Sequence, residues 1–156
     1  MVASLTVKRK RHRKLTSPKI DGPTMVKVGF PKSKASGSDI EKAVFNEFGT
    51  RGGASGGGWG GPIPERPFMR NAMRNNRSKY KSAMAKAAKG ILLGDTAMST
   101  VLNKLGALAQ GDIQSEITAM RSPPNSPITI ALKGSSNPLI DTGAMRAAVT
   151  WKIENK

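Results

Sequence analysis

Two stretches of apolar residues at helical spacing, separated by Gly94 and Asp95, constrain the fold of this chain more than any other feature. In residues 65–93 and 96–122 apolar side chains recur every three or four positions, which places them on one face of a helix. Two such faces bury each other most simply when the helices lie antiparallel, and Pro123 ends the second stretch. The sequence therefore predicts two long antiparallel helices. Their stripes consist of Met69, Met73, Tyr80, Met84, Ala87 and Ile91, and of Met98, Val101, Leu102, Leu105, Leu108, Ile113, Ile117 and Met120.

Residues at the ends and in the interior of these helices refine this prediction. Pro67 suits a first helical turn, and Glu65 places a negative charge near the positive end of the helix dipole. Gly106 and Gly111 each cost about 1 kcal/mol relative to alanine in a helix interior. Their presence predicts either a bend in the second helix or a close approach to the preceding helix.

Two short segments with alternating apolar residues predict a small sheet. MVKVGF (25–30) places Val26, Val28 and Phe30 on one side, and VTWKI (149–153) alternates in the same way near the end of the chain. We expect these two strands to pair. The predicted fold class is α+β, with two long antiparallel helices packed on a small antiparallel sheet.

Capping residues predict two shorter helices. Ser38 and Glu41 form a capping box, and Gly49 follows the last apolar position, which predicts a helix over residues 39–48. Ser126 followed by Pro127 predicts a second short helix that ends at Gly134. The apolar positions of the first of these helices are Ile40, Ala43, Val44 and Phe48.

Two segments have compositions that disfavour packed structure. Residues 49–64 contain eight glycines, which predicts a flexible loop whose Trp59 either anchors a partner or folds back on its own domain. This loop lacks the GK[ST] ending of a phosphate-binding loop. Residues 1–24 carry the run VKRKRHRKLTSPK, which predicts a mobile basic arm that docks on an acidic neighbour or remains solvated. The predicted organisation is this arm, followed by a single α+β domain over residues 25–156 with a flexible loop at 49–64.

The charge balance predicts an acidic partner. Lys and Arg number 26 against 10 Asp and Glu, a net charge of +16, which suits nucleic acid or an acidic protein surface. On the first long helix four cationic residues follow at spacings of four, three and four, and no acidic residue occurs between Glu65 and Asp95. We expect this basic ridge to contact another subunit or DNA. The candidate contact residues are Lys8, Arg9, Lys10, Arg11, Arg13, Lys14 and Trp59, and the ridge residues Arg70, Arg74, Arg77 and Lys81.

The composition disfavours most catalytic chemistry. The chain has no cysteine and a single histidine, His12, so it offers no thiolate nucleophile and no zinc ligand set, and we expect no metal and no cofactor. No apolar segment approaches the roughly 20 residues that span a bilayer, so we expect no membrane partner.

The segment PLIDTGAMRAAV (138–149) contains the string LIDTGA, which is typical of the active-site loop of aspartic proteases. Such an enzyme needs two aspartates about 3 Å apart, held within a mostly β fold. Only fifteen residues follow Asp141, and the chain before it is mainly helical. We therefore expect no protease and no other enzyme. Instead, Asp141 or Thr142 is predicted to cap a helical turn over residues 143–147, with Leu139, Ile140 and Met145 packing inward.

Several motifs in a fixed order resemble the tail-completion or neck proteins, the head-tail joining proteins, of long-tailed bacteriophages. The resemblance covers residues 25–154 and rests mainly on the first two motifs, which flank the glycine-rich loop. These motifs are NEFGT (46–50), PERPFMR (64–70), LGALAQGDIQSEI (105–117) and PPNSPITIALKGSSNPLIDTGAMR (123–146).

This resemblance implies a non-enzymatic virion protein, made in the host bacterial cytoplasm and located in the phage neck. It implies a homo-oligomeric ring around the DNA channel, six-fold to match the tail or alternatively a dodecamer, between head-connector and tail-terminator proteins. Non-specific contact with DNA is compatible with that position. The alternative is a basic nucleic-acid-binding protein of another kind, although no aromatic residues are interleaved with its basic ones.

Overall fold

The computed structural model describes residues 22–51 and 62–155, and within them a small sheet packs against helices. The basic arm, with candidates Lys8, Arg9, Lys10, Arg11, Arg13 and Lys14, and the loop residue Trp59 lie outside the described residues. The described elements are β1 (Met25–Gly29), α1 (Gly37–Phe48), α2 (Phe68–Asn75), α3 (Arg77–Leu93), α4 (Met98–Ala119), α5 (Pro127–Lys133), α6 (Ala144–Ala148) and β2 (Thr150–Glu154).

The two strands pair as the sequence predicts. β1 and β2 are antiparallel, with Val26 opposite Ile153 and Val28 opposite Trp151. The Thr24 N–H extends this pairing by donating to the Glu154 carbonyl at 3.1 Å. The sheet packs mainly on α4. The α+β class is therefore confirmed, with a sheet of two strands in the described part of the chain.

The first predicted long helix is divided at Asn76, so the prediction of one continuous helix over residues 65–93 was wrong. Asn76 has φ −102° and ψ 8°, a combination outside the helical region. Its side-chain amide donates to the Ala72 carbonyl at 3.0 Å. The Ala72 carbonyl thus accepts from both the side chain and the backbone N–H of Asn76, the residue that separates α2 from α3.

The core lies where α2, α4 and the C-terminal segment meet. The largest fully buried side chains are Phe68 of α2, Ile113 and Ile117 of α4, and Val149 just before β2. The ring of Phe30 meets that of Phe68 edge-on, with the centroids 6.2 Å apart. Burial of such side chains contributes about 1.5–3 kcal/mol each, which holds α2 firmly on α4.

Gly106 allows a close approach, but to β2 and not to the preceding helix. A Cβ at this position would overlap the indole of Trp151. That indole lies along α4 and donates from Nε1 to the Asn103 side-chain oxygen at 3.1 Å. Gly111 has open space around its missing Cβ, so no close approach accounts for it.

The two shorter predicted helices form, with one correction. α5 has the predicted cap, because the Ser126 hydroxyl accepts from the Thr129 N–H at 3.2 Å. α1 begins earlier than predicted, because Ser36 and not Ser38 caps it, accepting from the Asp39 N–H at 3.1 Å. None of the helices in the described part of the chain is long and apolar enough to cross a membrane.

Candidate functional site

The two ends of the glycine-rich segment are joined at its base. The Thr50 N–H donates to the Ile63 carbonyl at 2.9 Å, and the Ile63 N–H donates to the Thr50 hydroxyl at 3.0 Å. Gly49 has φ 71°, and a Cβ there would lie 3.1 Å from the Ile63 carbonyl oxygen, so a side chain at this position is disfavoured on both counts. We call residues 46–50 and 63–70 the loop junction, because the chain leaves and returns at this point.

Arg66 is the buried centre of the loop junction, with only 3% of its surface exposed. Its Nε donates to the Pro123 carbonyl at 2.7 Å, and Nη1 donates to the Asn46 side-chain oxygen at 2.9 Å. Nη2 donates to the Pro124 carbonyl at 3.0 Å and to the Asn125 side-chain oxygen at 3.3 Å. One guanidinium thus joins α1, the segment before α2 and the segment after α4.

The acceptors around Arg66 are all neutral, and burial lowers the pKa of its guanidinium. Neutral carbonyl groups compensate a buried charge only when their dipoles are fixed in direction. Two of these carbonyl groups belong to consecutive prolines, Pro123 and Pro124, whose restricted backbone holds them in place. Arg66 is therefore suited to fixing backbone segments together.

Glu47, at the end of α1, caps the first turn of α2. Its carboxylate is buried and accepts from the Met69 N–H at 2.9 Å and from the Arg70 N–H at 3.1 Å. N–H groups in the first turn of a helix have no acceptor within the helix. A negative charge at this position also interacts favourably with the helix dipole. Pro67, the residue at the N-cap of α2, makes no side-chain bond there. The position of Glu65 in the sequence predicts that its negative charge stabilises the start of this helix. In the structure, the carboxylate that binds the first N–H groups of α2 is that of Glu47.

Arg70 belongs to the loop junction, where two acidic residues neutralise it, so it is not an unneutralised member of the predicted ridge. Its Nε donates to Glu47 Oε1 at 2.9 Å, and its Nη2 donates to Glu65 Oε1. These hydrogen bonds, that of Glu47 foremost, raise the pKa of Arg70. Its guanidinium also lies 5.2 Å from the centre of the Phe48 ring. Neutralising acids thus come from α1 and from the segment before α2.

The other predicted ridge residues, Arg74, Arg77 and Lys81, are exposed. Beside them, Lys79 turns toward α4 and forms an ion pair with Asp112 at 2.7 Å. The same carboxylate accepts from the Tyr80 hydroxyl at 2.8 Å, and burial together with this hydrogen bond raises the pKa of Tyr80. Asp112 therefore connects α3 to α4 and is not available to the exposed cations.

An open groove of about 970 Å³ lies beside the loop junction. Asn125 lines it, and the side-chain nitrogen of this residue is buried without a hydrogen-bond partner among the described residues. Lys133 is a second donor in the lining, and burial lowers its pKa while Asp141 opposes that effect. The groove therefore offers polar donors beside the exposed apolar side chain of Ile128. Other lining residues include Asp39, Lys42, Pro62, Arg66, Thr129, Leu139 and Met145.

Asp141 does not cap the helix that follows it, so this predicted structural role was wrong. Gly143 occupies the N-cap of α6, with φ 83°, and makes no side-chain cap bond. Thr142, the other residue considered for this role, accepts from the Ala144 N–H at 3.3 Å. Leu139 and Met145 are buried and Ile140 packs against the core, as predicted.

Of the charged residues at the loop junction, Arg70 could be predicted as a candidate contact residue from the run of cations, whereas Glu47 and Arg66 were not predicted. Both stand in the quoted motifs NEFGT and PERPFMR, so the resemblance marked the segments without giving these side chains a role. Among the described residues, no group of histidines and acids could hold a metal ion. Comparison of the chain with protein-family models, with curated proteins and with solved structures gave no match.

Proposed function

We propose that this chain is a non-enzymatic structural protein of the bacteriophage neck that joins head to tail as a ring around the DNA channel. The observation that carries the proposal is the loop junction. NEFGT and PERPFMR, the two motifs on which the resemblance to neck proteins mainly rests, contact each other through Asn46–Arg66 and Glu47–Arg70. They lie at the two ends of the glycine-rich segment, to which this proposal assigns a contact with a neighbouring subunit.

The buried polar groups of this base favour a structural role over catalysis. Arg66 has its guanidinium bonded to four neutral acceptors, and the Glu47 carboxylate is bonded to α2 and to Arg70. Side chains whose hydrogen-bonding atoms are all engaged with the protein hold chain segments in place. They are poorly placed to exchange protons with a substrate. In this proposal α3 and α4 are the two long antiparallel helices of the domain, and the arm of residues 1–24 reaches a neighbour.

Two exposed apolar patches on different helices support a ring. Val44 and Phe48 of α1 are 46% and 65% exposed, and Ile128 and Leu132 of α5 are 74% and 83% exposed. Each pair is four residues apart and so shares a helix face. A cyclic assembly requires two different surfaces per subunit that meet head to tail. We assign the α5 patch of one subunit and the α1 patch of the next to this contact, with six subunits in the ring.

Mass spectrometry and electron microscopy of purified phage particles test this proposal. The protein should be present in a fixed copy number and form a ring between the head connector and the tail terminator. Its absence from joined particles would contradict a structural role and favour an assembly factor.

A variant tests the subunit contact separately. Ile128→Ser with Leu132→Ser should leave the unfolding temperature unchanged, because both side chains are exposed, but should abolish the ring and the joining of heads to tails. The matched control is Leu92→Ser with Leu93→Ser, an exposed apolar pair at the end of α3 that should retain the ring. Equal loss in both variants, or normal assembly by the α5 variant, would contradict the assigned contact.

The alternative function is a nucleic-acid-binding protein of another kind, for which the excess positive charge is the favouring observation. Such a protein should bind a particular sequence tightly at physiological salt. A neck protein should bind free DNA weakly and without sequence preference. Binding measured on duplexes of different sequence therefore separates the two functions.

A further inference from the structure

The exposed face of α3 carries cations and no acidic residue from Arg77 to Lys89, after which the exposed apolar pair Leu92 and Leu93 ends the helix. Arg77 and Lys81 lie on one side of this exposed face, Lys86 and Lys89 lie on the other, and Arg74 of α2 precedes them. At about 100° per residue, Ser78 and Ala85 fall between the two rows, and Ser82 falls within the row of Lys86 and Lys89. All three side chains are exposed. We call these five cationic residues the basic face. Small side chains between two rows of cations leave space for an extended anionic chain.

The acids near this face are already engaged. α2 and α3 contain no Asp or Glu. The carboxylates that form ion pairs with their side chains in the described residues are Glu47 and Glu65, which bind Arg70, and Asp112, which binds Lys79. Within residues 22–51 and 62–155, no carboxylate forms an ion pair with any of the five cations of the basic face.

Other copies of this chain are poor partners for the basic face, because every copy carries the same net charge of +16. A ring of identical subunits multiplies this excess instead of neutralising it. The self-repulsion of such an assembly is relieved only by an external polyanion.

The composition of the face distinguishes between nucleic acid and an acidic protein. Protein interfaces bury a core of aromatic and aliphatic side chains, whereas the exposed side chains from Arg74 to Lys89 are cations, two serines, Asn75 and Ala85. Phosphate contacts require cations and hydroxyl donors without apolar anchors. Within α3, the thirteen residues from Arg77 to Lys89 extend about 18 Å at 1.5 Å per residue, which corresponds to several phosphates of one DNA strand.

We propose that the basic face binds the phosphate backbone of double-stranded DNA without sequence preference. The inference rests on the proposed function in one respect. If the chain forms a ring around the DNA channel, the basic face is the surface of that ring that faces the channel. The DNA contact itself is a property of the purified protein, so it can fail or succeed independently of the position of the protein in the particle.

The salt dependence of DNA binding by the full-length chain tests this proposal. Arg74→Gln, Arg77→Gln and Lys81→Gln together remove three charges from the face and leave the ion pairs of Arg70 and Lys79 intact. With a mixed-sequence duplex between about 50 and 200 mM salt, the slope of log K against log salt should fall in magnitude by about 2 to 3, since each phosphate contact contributes about 0.9.

The matched control removes three exposed charges elsewhere, through Lys32→Gln, Lys34→Gln and Lys104→Gln. It lowers the net charge equally and should change the slope by less than one unit. The basic arm is present in all the proteins compared, so its contribution cancels.

An equal change in both variants, or no change in either, would overturn the assignment. So would normal DNA binding by the face variant together with loss of head-tail joining, which would indicate an acidic protein partner. Absence of the chain from particles would contradict the neck position and leave the DNA contact standing.

Discussion

Three hydrogen bonds join Glu47 and Arg70 at the start of α2. The Glu47 carboxylate accepts from the backbone N–H and from the Nε of Arg70, and the Glu47 carbonyl accepts from its Nη2. One acidic side chain from α1 thus caps a helix that lies beyond the glycine-rich segment. The same contact fixes the position of the Arg70 guanidinium, whose side chain remains 45% exposed on the surface of α2. The Glu47 side chain therefore caps α2, forms an ion pair with Arg70 and connects the two sides of the loop junction.

Replacing Glu47 should destabilise the domain. Glu47→Gln retains one acceptor oxygen but removes the charge that binds two N–H groups and the Arg70 guanidinium, and a hydrogen bond to a charged group contributes about 1.5–3 kcal/mol. We expect a loss of about 2 kcal/mol in the free energy of unfolding, measured with urea. Glu41→Gln, at an exposed position on the same helix, should change it by less than about 0.5 kcal/mol. Similar losses in the two variants would contradict the capping role.

Two glycines of α4 should respond to alanine in opposite directions. Gly106→Ala places a methyl group in the position of the Trp151 indole and should cost about 1–3 kcal/mol, as overpacking does. Gly111→Ala meets no atom within 4 Å and should stabilise the helix by about 0.5–1 kcal/mol. Thermal unfolding of both variants measures the difference. A gain in stability for Gly106→Ala would show that Trp151 is not held against α4.

Arg66 should not tolerate lysine. Lysine cannot donate in four directions from a planar group, so Arg66→Lys leaves buried carbonyl groups unbonded and should cost about 2 kcal/mol or more. Arg74→Lys, the same change at an exposed position of α2, should remain within about 0.5 kcal/mol. Hydrogen exchange at the amides of Thr50 and Ile63 should increase in the Arg66 variant alone. Unchanged exchange there would separate Arg66 from closure of the loop base.

Pairing of the two strands should weaken in acid. Hydrogen bonds from Lys27 and Lys152 lower the pKa of Glu154 from its ordinary value of 4.5. Because the folded-state pKa is the lower one, this stabilisation is present above 4.5 and is lost as the pH falls through the folded-state pKa. Stability measured between about pH 6 and 2 should therefore depend less on pH in Glu154→Gln than in the wild type. Identical pH profiles would show that these ion pairs do not stabilise the sheet.

Elements with local signals could be predicted from the sequence. Alternation gave both strands and their antiparallel pairing, and Ser126 with Gly134 gave the limits of α5. The division at Asn76 could not be predicted, because no proline or glycine marks it and a single side-chain bond to Ala72 stabilises it. An apolar stripe describes a helix face and contains no information on such a bond.

The candidate site depends on contacts between distant residues, which spacing rules do not describe. Arg70 looked unneutralised because no acidic residue occurs between Glu65 and Asp95, yet Glu65 itself and Glu47, 23 residues earlier, both form ion pairs with it. Glu47 and Arg66 lie within the motifs that suggested a neck protein, but their bonds form only when α1 and α2 are in contact. Motif order therefore located the site, and only the structure gave its side chains their roles.

The Thr24 N–H donates to the Glu154 carbonyl at 3.1 Å, so the chain enters β1 beside the point at which it leaves β2. The backbone of the domain is therefore nearly circular, and a short linker from residue 155 to residue 24 could close it in a variant that lacks the arm. New termini within residues 52–61 would then leave every described hydrogen bond intact. Such a circular permutant would hold NEFGT and PERPFMR together by side-chain and backbone hydrogen bonds alone. Its stability would show how much of the loop junction depends on the covalent connection through the glycines.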